Sequence, residues 1–176
     1  MQRCDQSSAE CRVLTFKEGL LSAVAHDLRL QVGKFNIAFD EATGTIDAAF
    51  EPTSLSVVCA RRDGADAPEL LSDADKRKIE AHVRDDVLQV RRHAQITFVG
   101  KRIGGDAHAM QLEGQLRLHG QTRPLRVNVE QRDGKWMCEV ELYQPDWGIK
   151  PFTAMLGTLR VKPTIRVQIE VAANAG

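Results

Sequence analysis

The residues able to do chemistry in this 176-residue chain are few: five histidines, four cysteines and 24 aspartates and glutamates. His26-Asp27 is the sharpest pairing, an imidazole beside a carboxylate that could hold a metal ion or activate water. A metal centre needs about three or four ligands, and no further histidine or cysteine stands at ligand spacing from the pair. The competing reading is a turn cap or the start of a strand. His119 lies in a turn between two strand-like runs, where a bond to the turn backbone is expected. His82, His93 and His108 are scattered in polar settings. Asp73, Asp75 and Asp85-Asp86 sit on a polar helical stretch and are expected to be solvated. Cys4, Cys11, Cys59 and Cys138 form no CxxC pair, so free thiols are expected. Nucleophile-elbow, phosphate-loop and HExxH motifs are absent. The expectation is no catalytic residue, no metal ligand and no cofactor.

The elements that would position these groups read as strands. In Leu116–Val129, Leu116 and Leu118 alternate with Arg117 and His119; Leu125, Val127 and Val129 then alternate with Arg126 and Asn128. Side chains alternate faces along a strand, so this is a hairpin with one dry face. The same period recurs from Met110 to Leu118, from Cys138 to Leu142 and from Val161 to Val171. Between Leu28 and Phe39 the parity changes: Leu28, Leu30 and Val32 are even, Phe35, Ile37 and Phe39 odd. A bulge near Gly33-Lys34 reconciles the two halves. A turn is expected over Gly100–Gly105. The segment Ser72–Val83 is the single convincing helix, with Ser72 as N-cap and only Ile79 and Val83 strongly apolar. So polar a helix belongs on a rim, not in a core. Eight or nine strands with short turns and no βαβ alternation define an all-β, antiparallel protein, and closure into an eight-stranded barrel would remove its edges.

Lys plus Arg equals Asp plus Glu at 24 each, which argues against nucleic acid as a primary partner. No apolar run approaches the roughly 18 residues of a transmembrane segment. The N-terminal MQRCDQSSAE has no apolar signal region, so a cytoplasmic location is expected. Residues 1–10 and 173–176 are expected to be flexible ends around one domain, 11–172. A homodimer is compatible with the sequence.

Three segments carry a family resemblance. Arg92–Phe98 (RHAQITF) is similar to "yPxItF", Leu116–Leu125 (LRLHGQTRPL) to "LtihGvTkpv", and Asp146–Ile149 (DWGI) to "dFGi". Val32–Phe35 adds a weaker match to "VxGxF". Together they cover Val13 to Val171. The chain resembles the YceI-like proteins, lipocalin-like antiparallel barrels that bind polyisoprenoid chains. It departs from them at Ala94, where proline is usual, at Gln144, where arginine is common, and in the more charged stretch 61–87. The resemblance implies a lipocalin-like eight-stranded barrel with one surface helix. It also implies non-catalytic binding or carriage of an isoprenoid lipid, of polyprenyl or quinone type. From parity and resemblance together, the expected ligand-binding residues are Phe35, Phe39, Phe50, Val57, Phe98, Leu112, Leu116, Leu118, Val127, Val140, Leu142, Trp147, Phe152, Ile165 and Val167. Trp147, Phe152 and Met155 are expected at the mouth. Two other readings stay open: an enzyme acting on a small hydrophobic substrate in the barrel, and a filled barrel serving as an interaction module.

Overall fold

The alternating runs become ladders in the computed structural model, which describes residues 1–19, 26–154 and 159–172. The strands are β1 (Gln2–Asp5), β2 (Ala9–Thr15), β3 (Lys17–Glu18), β4 (Asp27–Val32), β5 (Phe35–Asp40), β6 (Thr45–Phe50), β7 (Leu55–Arg62) and β8 (Ala65–Ala67). After helix α1 (Asp73–His82) come β9 (Ile96–Gly105), β10 (Ala109–Leu118), β11 (Gln121–Arg132), β12 (Lys135–Tyr143), β13 (Thr153–Ala154), β14 (Leu159–Val161) and β15 (Thr164–Ala172). Twelve segments share one sheet in the order β1-β5-β6-β9-β10-β11-β12-β15-β2-β4-β7-β8, and β13-β14-β3 form a small second sheet. Each pairing among the described residues is antiparallel. No helix among them is long and apolar enough to cross a membrane.

The all-β class with one helix therefore holds, but a closed ladder of eight strands is not what forms. The sheet has twelve members in linear order, and its end strands β1 and β8 do not pair with each other. Bends raise the count. β4 and β5 are separated only by Gly33-Lys34, and their neighbours break at matching places, β1 from β2 at Gln6–Ser8 and β6 from β7 at Glu51–Ser54. On one side of the bend β4 pairs with β2 and β7; on the other β5 pairs with β1 and β6. Bonds outside the ladders hold the corner. Gly33 N–H donates to the Ser54 carbonyl at 3.2 Å, Lys34 N–H to Ser54 Oγ at 2.9 Å, and Glu51 N–H to the Lys34 carbonyl at 3.0 Å.

Two further departures have local causes. Gly100–Gly105 is strand, not turn. Gly100 lies opposite Gly114, and an added Cβ at Gly114 would stand 2.3 Å from the Val99 carbonyl oxygen. Glycine there permits close approach of two strands rather than a reversal. The reversal falls at Asp106–His108, where Asp106 Oδ1 accepts from the backbone N–H groups of His108 and Ala109 at 2.8 and 3.0 Å. At the N-terminus, Gln2–Asp5 is not a loose end but a strand paired with Asn36–Phe39.

Helix α1 begins as its sequence suggests. Ser72 Oγ accepts from Asp75 N–H at 3.2 Å and the Asp75 carboxylate accepts in return, a complete capping box. The helix ends in a wide turn over Val83–Val87. It docks on β7, where Val57 N–H donates to Glu80 Oε1 at 2.8 Å.

Candidate functional site: an apolar cavity

The dry faces of the sheet curl around a cavity of about 1160 Å3. That is larger than the roughly 300–1,000 Å3 of ordinary small-molecule pockets. Its wall is built by parity. Met110, Leu112, Leu116 and Leu118 point in from β10, Leu125, Val127 and Val129 from β11, and Ile165, Val167, Ile169 and Val171 from β15. The parity change at Gly33-Lys34 keeps both halves of the bent strand inward: Leu28, Leu30 and Val32 line the cavity before it, Ile37 and Phe39 after it.

Of the residues expected to meet a ligand, Phe39, Phe50, Phe98, Leu112, Leu116, Leu118, Val127, Val140, Leu142, Phe152, Ile165 and Val167 border this space. Phe35, Val57 and Trp147 do not, although all three are buried. Phe35 stacks on Phe50 with ring centroids 5.8 Å apart, and Phe50 borders the cavity in its place. Val57 packs in the cluster that includes Leu55 and Leu30 and is covered by Ile79 and Val83 of the helical segment. Trp147, expected at the mouth, closes a short turn over Gln144–Trp147 that ends in left-handed Gly148 (φ 68°). Its ring joins the core cluster with Leu118 and Leu142. Phe152 borders the cavity, its ring 4.6 Å from that of His82. Met155 lies outside the described residues, as do residues 20–25 and 173–176.

Parity missed several bordering groups. Ile79, Val83, Val87 and Leu88 close one end from the helical segment, and their sparse apolar stripe was the available signal. The space beside Gly114 is taken by the Phe98 ring, whose Cζ stands 2.8 Å from where a Cβ would be.

Cys4, Cys11 and Cys138 border the cavity as free thiols; Cys59 is free and buried. Ile169 pairs with Cys138 on one side and Cys11 on the other. Burial pushes the Cys11 thiol up to about 12, with Cys138 adding to the rise. Burial pushes Cys138 up to about 11. Cys4 is raised by burial and by Asp5. All three are protonated near neutrality and are poor nucleophiles.

The candidate catalytic groups do not assemble. His26 borders a cavity mouth, while Asp27 Oδ1 accepts from Lys17 N–H at 2.7 Å, the strand-starting role. His119 is elsewhere, its ring centroid 4.3 Å from that of His93 and its Nδ1 3.2 Å from the Trp147 carbonyl oxygen. Nδ1 therefore donates to that carbonyl, and Nε2 is buried with no hydrogen-bond partner among the described residues. His119 thus holds the 144–147 turn rather than its own. Among the described residues, no group of three or more His, Cys, Asp or Glu is placed to hold a metal ion.

These features define a class of antiparallel β proteins in which a curled sheet surrounds a large apolar cavity. Within that class the chain belongs to the YceI-like domain family, whose match spans residues 7–173. Among solved structures it is similar to Burkholderia cenocepacia BcnA, with 14% identity over 97% of this chain and 99% of that one and a TM-score of 0.66. It is also similar to a polyisoprenoid binding domain from Saccharophagus degradans implicated in plant cell wall breakdown, with 11% identity, 97% of each chain covered and a TM-score of 0.62. No curated protein sequence matches the chain significantly.

Proposed function

We propose that this protein binds and carries a long apolar isoprenoid lipid, of polyprenyl or quinone type, without transforming it. The observation that carries the reading is the cavity of about 1160 Å3 and its aliphatic wall. Burying apolar surface stabilises by about 25 cal/mol per Å2, and a flexible hydrocarbon tail can use such a wall along its whole length. The likeness to a polyisoprenoid binding domain supports the same guest class. The separation of His26-Asp27 from His119 and the protonated thiols favour carriage over turnover. The ligand-contacting set we propose is the twelve expected residues that border the cavity, together with Leu30, Ile37, Leu125 and Val129.

Organic extraction of the purified protein followed by mass spectrometry tests the reading directly. A long-chain isoprenoid is expected. A small polar product, or a guest altered in a His26-dependent way, would replace carriage by catalysis. Leu116→Trp and Val167→Trp should abolish binding of the extracted lipid while leaving a folded sheet, at a cost of about 1–3 kcal/mol for overpacking. Unchanged binding by folded variants would put the guest somewhere else.

A further inference from the structure

Antiparallel register sorts the charged residues around the cavity into two mouths. One lies where β5 ends, β6 begins and β9 turns into β10. Arg3, Arg102, Glu41 and Asp106 stand there, two cations against two anions. Their groups are engaged locally. The Arg102 guanidinium donates to the carbonyls of Gly104 and Asp106 at 3.2 and 2.8 Å, and Glu41 accepts from Gln2 at 3.1 Å.

The opposite mouth lies where β2 runs out into β3, β4 begins and α1 passes over the end of the sheet. Lys17, Lys78 and Arg160 border it; Asp75 is the one carboxylate in the lining there, and Glu18 lies across the ladder from Arg160. Asp75 is already committed to its capping box, accepting from Ser72 Oγ at 2.6 Å. None of the three cations has an ion-pair partner among the described residues. One end of an apolar tunnel is thus formally neutral, with two cations against two carboxylates, and the other has an excess of cations, three against Asp75 in the lining and Glu18 across the ladder from Arg160.

We infer that this second mouth receives an anionic head group of phosphate chemistry, bound by Lys17, Lys78 and Arg160, with the guest's tail running toward Arg102. The inference rests on the lipid reading above and narrows it, because a neutral alcohol or quinone head offers these cations no charge. A phosphate ester cannot follow its tail into the aliphatic interior without losing its hydration. At the rim it keeps water on one side and gains charge-assisted hydrogen bonds on the other.

The test compares geranylgeranyl monophosphate, geranylgeraniol and inorganic phosphate by calorimetry on the full chain. The phosphate ester should bind about tenfold or more tightly than the alcohol, and the preference should shrink as salt is raised. In the triple variant Lys17→Gln, Lys78→Gln, Arg160→Gln the two lipids should bind equally. The alcohol's affinity should match the parent's, which also reports an intact cavity. Arg3→Gln, at the balanced mouth, should leave the preference untouched. Equal affinities in the parent would overturn the inference, as would a preference that survives the triple variant or disappears in Arg3→Gln. Displacement of the ester by inorganic phosphate alone would mark a free-phosphate site and overturn it too. Alcohol binding with no phosphate preference sinks this inference alone; failure of both lipids to bind sinks the lipid reading with it.

Discussion

In β9 to β12 each strand passes to the next through a turn of two or three residues and pairs with its sequence neighbours. In β1 to β8 three long stretches of chain bend midway and change partners. Both regions wall the same cavity. The meander does so with one register shift, where β9 bulges at Ile103, and is limited by how closely its backbones approach. The bent region depends on a few polar bonds that replace the ladder at its corners. The two regions should therefore fail differently: the meander under added volume, the corner under lost hydrogen bonds.

Gly114→Val should be the most damaging change. Its Cβ would stand 2.3 Å from the Val99 carbonyl oxygen and 2.7 Å from Gly100 Cα, where backbone cannot yield cheaply. We expect a loss of about 3 kcal/mol, the upper end of overpacking, in urea unfolding with an unchanged slope. A loss within the noise would mean that β9 and β10 can separate, and the contrast with the corner would collapse. Gly120→Val comes next. His119 and Gly120 both have positive φ (51° and 77°), the two-residue turn that matches strand twist. A left-handed β-branched residue costs about 1–2 kcal/mol, and its Cβ would also press to 2.9 Å from the His93 ring. Gly120→Asn, which tolerates that conformation, should recover part of the loss; equal damage from both would point to the clash alone.

At the corner, Ser54→Ala removes the acceptor of Lys34 N–H and should cost about 1 kcal/mol. Hydrogen exchange should quicken at Lys34 while the β9–β12 amides keep their protection. Uniform loosening would show that the two regions are one cooperative unit. The smallest effect is electrostatic. Partial desolvation, then His119, Arg92 and Arg117, hold His93 below the ordinary imidazole value. The unfolded chain then binds the proton more readily, so stability is lost as pH falls from the unfolded value of about 6.5 through the lower folded one. The parent should lose more stability between pH 7 and pH 5 than His93→Gln does. Matching profiles would remove His93 from the account.

The same contrast explains what the sequence disclosed. Alternation reports which face is dry, and it placed Leu112, Leu116, Leu118, Val127 and Val167 toward the cavity without error of face. It also located the bend, because Val32 and Phe35 cannot both be dry on a straight strand. It does not report partners, so the exchange that divides three long stretches into six segments was invisible. Nor does dryness separate residues that border empty space from residues buried behind them. Phe35, Val57 and Trp147 are as dry as their neighbours but do not border the cavity. The rim cations were illegible for the opposite reason: Lys17, Lys78 and Arg160 lie on elements far apart in sequence and border one cavity only in the folded structure.

The pairing of β2 with β15 has a consequence for how the chain acquires its shape. It aligns Leu14 with Arg166 and Cys11 with Ile169, segments about 150 residues apart along the chain. The entropy of closing so long a loop must be met before those contacts return anything, whereas each β9–β12 hairpin closes over a few residues. The meander should therefore form early, and the β2–β15 seam should be the final ladder to zip. A nascent chain would hold its aliphatic face open to the surroundings until β15 had been synthesised.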